Sequence, residues 1–439
     1  MVTPSAPIAT IVPITSFRRD LGRALQRRGQ DLLEADDMEE QMQSLAPLEA
    51  YFVVKELGLE SAAPLLMAAS DAQLHLCLDL DCWHDGLLDP VELDAWLATF
   101  VAVDPTQLAG VFMRLDEEVQ ILFLTARLLV LEITAPEDGI AEDMPSMATP
   151  DDAYRVFERQ ADGAEINALQ LVEGLYRVDP RHIGRMLMAV LSELQSPLEE
   201  QALQFRAGRL EDAGFPDRSR ALQILAPPPA EPPLMLTSRG HHSSPLGLPA
   251  LYAETLTQAS LLAQALAVQT DASTVARIEQ ELVYLMNAAV VAYGEDARDL
   301  RQVRAIATRV HDTLNLGLQA LLAQGPVVAD VIGVAAASQL LQRWPLLHVL
   351  QTGHQLLQPL RRAAAQLAQD PAVASWLATA SEPDEDPSYD DRAFVRGLCR
   401  QPPVLAEALP LNPDAVRAFA CHSEVQAALA RLDALAAAR

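Results

Sequence analysis

The chain has 439 residues, half of them hydrophobic, and a formal net charge of −28; it is long enough for two or three domains with substantial cores, which excludes a globally disordered protein. Aromatics make up only 5% while Ala, Leu, Gln, Glu and Arg recur throughout, so the composition favours helix over strand. The charge is uneven: Asp31 to Pro150 holds 25 acidic residues against three basic ones, Lys55, Arg114 and Arg127, a balance that repels a phosphate backbone or anionic lipid and excludes nucleic acid as a partner of that half.

Taken in chain order, residues 1–15, with Pro4, Pro7 and Pro13, read as a loose tail. Helical periodicity starts near Ser16 and holds to Ala226, giving an acidic, repeat-like domain over 16–226. Asp71 and Asp116 stand 45 residues apart, each opening an apolar helical stretch, and Asp104-Pro105 and Asp179-Pro180 each resemble an N-cap followed by proline in the first turn. Short amphipathic helices stacked in pairs, a solenoid-like array, follow from that spacing. Residues 136–163 interrupt the helices, and a small hairpin near 147–160 is the one β-structure expected.

The proline-rich stretch 227–249 cannot continue a helix and reads as an interdomain linker. Beyond it, Leu251 to Ala267, Val275 to Tyr293 and Leu300 to Ala323 carry long helical patterns, so a helical bundle is expected over 250–439, interrupted by the acidic loop 381–391. The fold class is therefore all-α almost throughout.

The densest run of acids is LDLDCWHDGLLDPVELDAWL at 78–97. Asp81, Asp85, Gly86, Leu88, Asp89 and Glu92 stand where positions 1, 5, 6, 8, 9 and 12 of a calcium loop would, so Asp81, Asp85, Asp89 and Glu92 are candidate ligands for calcium or magnesium. Trp83 occupies the third position and offers no side-chain oxygen. The competing reading is a turn between helices in which Trp83 anchors the core, Asp89 caps the next helix and Pro90 enters its first turn. His75 and Cys77, if helical, point about 200° apart, which argues against zinc shared with Cys82 and His84. GxxxxGK, HExxH, CxxC, GxGxxG and GxSxG are all absent, so no catalytic residue is assigned, and no cofactor beyond that cation.

The four cysteines have no framework spacing, no secretory start is visible, and no apolar run reaches bilayer length; Val327 to Leu341 comes nearest but contains Asp330. A cytoplasmic protein without membrane insertion is expected.

Four segments, YFVVKELGLESAAPLL at 51–66, LDLDCW at 78–83, RAGRLEDAGFPDRSRALQIL at 206–225 and IEQELVYLMNAAVVAYGED at 278–296, together resemble a family of uncharacterised bacterial proteins, a domain of unknown function. The turn Gly214-Phe215-Pro216 and the segment around Trp83 are its most specific elements, and both read as structural. The resemblance implies that Trp83 belongs to the pattern and brings no catalytic residues with it. Residues 45–130 are also similar, in their short leucine-rich helices, to the cytoplasmic N-terminal domain of a class of magnesium transporters.

From these features the expected function is that of a non-enzymatic interaction or scaffolding protein whose acidic helical surface engages a protein, a basic one fitting best. The alternatives are a divalent-cation-responsive regulator and an enzyme of unrecognised type built around Arg206, Arg209, Glu211 and Asp217.

Overall fold

The computed structural model describes residues 27–103, 106–135, 143–192, 194–230, 248–257, 259–324, 333–379, 388–406 and 416–437. The described chain is mostly helical and divides into two compact units, Ala24–Ala213 and Gly214–Arg439. The N-terminal tail, Asp104-Pro105, the centre of the proline-rich stretch and most of the acidic loop after residue 380 lie outside the described residues.

In the first unit, local chemistry sets the helix boundaries. The helices Pro47–Leu57 and Leu59–Ala68 are separated by Gly58 at φ +80°, a value only glycine adopts freely. Ser70 accepts from the Gln73 backbone N–H while the Gln73 side chain accepts from the Ser70 backbone N–H, a capping box that starts Asp71–Asp81. The Asp89 carboxylate accepts from the backbone N–H groups of Val91 and Glu92 and so starts Pro90–Val103. Asn167 and Asp179 do the same for Ala168–Val178 and Pro180–Ser192. Tyr51, Leu65, Leu66, Leu74, Trp96, Phe112 and Phe123 are fully buried and form the interior of this unit.

A three-stranded antiparallel sheet lies in the same unit, with Tyr154–Glu158 between Leu128–Glu132 and Ser146–Ala148. Val130 and Met147 both register with Val156, whose side chain is buried. The hairpin expected near 147–160 is therefore present. It has company that the sequence did not suggest: Leu128–Glu132, which continues the periodicity of the Glu117–Arg127 helix, is the third strand, and two-stranded pairings occur at 83–88 and at 405–417.

The second unit is a set of packed helices. The pattern over 251–267 is broken into Ala250–Ala253, a 3₁₀ turn Glu254–Thr257, and Leu261–Ala267. Ser260 causes the break, because its hydroxyl accepts from the Ala263 N–H while the Asn315 side chain accepts from the Leu262 N–H. Ala272–Tyr293 is capped by Asp271 and ends at Gly294, which is left-handed at φ +71°. Glu295 N–H donates to Val290 O and Gly294 N–H to Val291 O, closing a Schellman motif. The long helices Leu300–Gln324 and Leu346–Leu367 cross at Gly317 and Gly353, where a Cβ on either would run into the backbone carbonyl of Val349 or Thr313. Leu316, Leu357, Leu360, Phe394, Phe419 and Leu432 close the core beside that crossing.

Candidate functional site

The acid-rich segment 78–97 folds as a helix end, a tight hairpin and a helix start. Trp83–His84 pairs antiparallel with Leu87–Leu88, and the turn residues Asp85 and Gly86 have φ +50° and +83°, the positive values that an Asp-Gly hairpin turn requires. The four candidate cation ligands are thereby directed apart. Asp81 is buried at the end of its helix, accepting from the Tyr51 hydroxyl at 2.6 Å and from Lys55 Nζ at 2.8 Å. Asp85 stands in solvent at the hairpin tip, Asp89 caps the next helix, and Glu92 is exposed on its first turn. Among the described residues no group of three or more His, Cys, Asp or Glu side chains is arranged to hold a metal ion. Trp83 is buried, with the guanidinium of Arg206 over its ring at 5.2 Å from the centroid.

About one turn before the hairpin, Asp79 receives a two-pronged ion pair from across the unit. Arg209 Nε donates to Asp79 Oδ2 at 2.6 Å and Arg209 Nη2 to Asp79 Oδ1 at 2.9 Å, while Arg209 Nη1 reaches Asp116 Oδ2 at 2.6 Å. Arg206 Nε donates to the Asp79 carbonyl. Burial raises the Asp79 carboxyl above its ordinary value despite Arg209 and Arg206, and the two carboxylates in turn hold the Arg209 guanidinium firmly charged. Arg206 and Arg209 thus face the 71–81 helix and Trp83. That turn is conformational: Gly214 has φ +89°, Phe215 is buried, and Asp217 caps the helix Arg218–Ala221.

All three basic residues of the acidic stretch are drawn into the fold. Lys55 is bound to Asp81, and Arg114 to Asp71 at 2.6 Å and to the Ala69 carbonyl. Arg127, itself buried, pairs with buried Asp94 and with Glu158, and donates to the Ile166 carbonyl. Asp94 also accepts from the backbone N–H groups of Glu165 and Ile166, and Glu158 from that of Ala168. This network ties the Pro90–Val103 helix to the sheet and to the start of Ala168–Val178. The outward acids are left without those cations as partners, and they are densest at Asp31, Glu34, Asp36, Asp37, Glu39 and Glu40, all exposed.

The model of DUF6178, a family of unknown function, matches residues 10–439. The chain belongs to that family. No curated protein and no solved structure matches it, and nothing in these comparisons carries the likeness of residues 45–130 to magnesium transporters. Segment 78–83 and the helix Gln195–Asp212 are joined in space by Asp79, Trp83, Arg206 and Arg209.

One arrangement in the second unit of this DUF6178 member has no motif in the sequence. Ser260 Oγ lies 2.9 Å from His311 Nε2, and His311 Nδ1 lies 3.0 Å from Asp312 Oδ1, the order of a serine nucleophile, its base and an orienting acid. The local backbone turns it to another use. The Ser260 hydroxyl accepts the Ala263 N–H as a helix cap, and the neighbouring Leu262 N–H is taken by Asn315. His311 locks a cap. His354 is similarly structural: buried, with Nδ1–H donating to Ile224 O at 2.9 Å and Nε2 accepting from the Tyr293 hydroxyl at 3.3 Å.

Proposed function

We propose that this protein is an interaction or scaffolding protein and that the acidic surface of the Ala24–Ala213 unit engages a protein partner bearing basic groups. The observation that carries this reading is that Lys55, Arg114 and Arg127, the three basic residues of 31–150, pair with Asp81, Asp71 and Asp94, while Asp31, Glu34, Asp36, Asp37, Glu39 and Glu40 stand exposed together. Such a surface raises the encounter rate with a cationic partner and suppresses anionic ones. The reading places the protein in a reducing cytoplasm, in keeping with four free cysteines, and no described helix is long and apolar enough to cross a membrane. A divalent-cation response draws no comparable support from the separated carboxylates of the 81–92 segment.

The test is affinity capture from native extract with the full chain as bait at about 50 mM and about 500 mM salt, a range over which screening shortens from well beyond to well under 10 Å. A partner retained at low salt and lost at high salt is expected. Recovery of no specific partner at either salt would remove the reading.

A further inference from the structure

The helix Pro180–Ser192 departs from the rest of the molecule in its outer face. Its inner face is ordinary: Ile183, Met186, Leu187 and Ala189 are buried. The outer face presents Arg181, Gly184, Arg185, Met188 and Leu191 at spacings of three and four, which places them in one stripe along the helix. Met188 is 53% and Leu191 42% exposed, and the stripe is bracketed by Val178 at 56% and Leu194 at 76%. Four of the eleven large apolar side chains that stand exposed among the described residues therefore fall between positions 178 and 194, a concentration that marks an interaction surface where scattered single residues would not.

The charge of the stripe inverts that of the chain. In a protein of net charge −28, residues 180–192 contain no Asp or Glu, and Arg181 and Arg185 both stand exposed. Of the acids that flank the helix in sequence, Asp179 caps its start and Glu193 follows its last residue, while Glu173, on the preceding helix, pairs with Arg177. Gly184 has open space where a side chain would stand. Glycine inside a helix weakens it relative to alanine, and here it lowers the surface between the two arginines so that a neighbouring backbone can approach.

We propose that this outer face is a docking site for an acidic amphipathic helix of a partner protein, its apolar residues lying on Met188 and Leu191 and its carboxylates on Arg181 and Arg185. Anchors at i, i+3 and i+7 are how a helical ligand is read, and the arginine fork suits carboxylates. The site is distinct from the acidic surface and does not rest on it. A basic partner for residues 31–40 and an acidic one for this face are what a scaffold joining two proteins would carry.

The test uses the full chain and two fluorescein-labelled helical peptides of one leucine pattern, with glutamate in one and lysine in the other at every polar position, read by anisotropy. The glutamate peptide is expected to bind saturably, at least about 10-fold more weakly to Met188→Asp and to Leu191→Asp, since each removes a large apolar contact, and about 10-fold more weakly to Arg181→Glu/Arg185→Glu, with thermal melts of all variants unchanged. The lysine peptide should respond to none of these substitutions. Glutamate-peptide binding that is absent, or indifferent to all three variants, would overturn the proposal. So would sedimentation showing a dimer of the parent that Met188→Asp dissolves, because a second copy would then cover the face, or flotation with phosphatidylserine vesicles that depends on Met188, because a membrane would.

Discussion

Arg209→Leu breaks the pair that joins the helix Asp71–Asp81 to the helix Gln195–Asp212. Asp79 is then left buried without its two-pronged partner, keeping the nearby Arg206 guanidinium and His75. Removing one member of a buried pair costs about 3–5 kcal/mol. Arg209 keeps 26% of its side chain in water and Arg206 remains to shield Asp79, so the lower end, about 3 kcal/mol at pH 7, is expected. For a unit of this size that lowers the melting temperature by about 6–12 °C. The pH dependence has a definite sign. The Asp79 carboxyl already sits above its ordinary 3.8 in the fold because burial disfavours its charge, and loss of Arg209 raises it further. A carboxyl raised in the folded state costs stability at high pH, and the cost fades as pH falls through its folded value. The gap between parent and Arg209→Leu should therefore be widest at neutral pH and narrow toward pH 4. Asp79→Asn in the Arg209→Leu background should restore most of the loss. Urea titrations of the four proteins of this cycle at pH 7 and pH 5 measure it. A pH-independent deficit, or no rescue by Asp79→Asn, would refute the assignment of the pair as the cause.

Trp83→Ala should cost about 3–5 kcal/mol, as large aromatic truncations in cores do, because Trp83 is buried under Arg206; Trp83→Asp should cost more, and melts with calcium or chelator should superimpose for both, whereas calcium-dependent recovery of Trp83→Asp would mean that the 81–92 segment can close on a cation. His354 titrates near 4 in place of its ordinary 6.5 because burial disfavours its cation. Its contribution is complete above pH 6.5 and is lost as pH falls toward 4, about 2 kcal/mol by pH 5. His354→Gln keeps a donor for Ile224 O and an acceptor for Tyr293, so its stability should fall less than the parent's between pH 7 and pH 5; parallel curves would show that another group governs the acid limb.

The sequence was legible where a local rule determines the outcome. Asp179-Pro180 opens a helix, Asp89 caps one with Pro90 in its first turn, and turn residues announce the hairpin at 146–158. The turn reading of 81–92, with Trp83 as anchor and Asp89 as cap, rests on such rules, whereas the direction of its acids is not in their spacing; Asp85-Gly86 between Trp83-His84 and Leu87-Leu88 supplies the two positive φ angles of a hairpin turn. Leu128–Glu132 could not be read as a strand, because its apolar run continues a helix and only pairing with Tyr154–Glu158 makes it β. The Asp79–Arg209 pair spans 130 residues. Its one trace in the sequence was that both partners fall in the segments that carry the family resemblance.

We propose that the exposed carboxylates of residues 31–40 on the first unit bind a basic partner. The most direct measurement is a titration of the captured partner against the parent chain and against Glu34→Gln/Asp36→Asn/Glu39→Gln/Glu40→Gln, four exposed positions, across a salt series. The account predicts weaker binding by the variant at low salt, by about 10-fold or more if each lost contact is worth a few tenths of a kcal/mol, with the two curves converging as salt rises. Equal affinity at every salt concentration would contradict it.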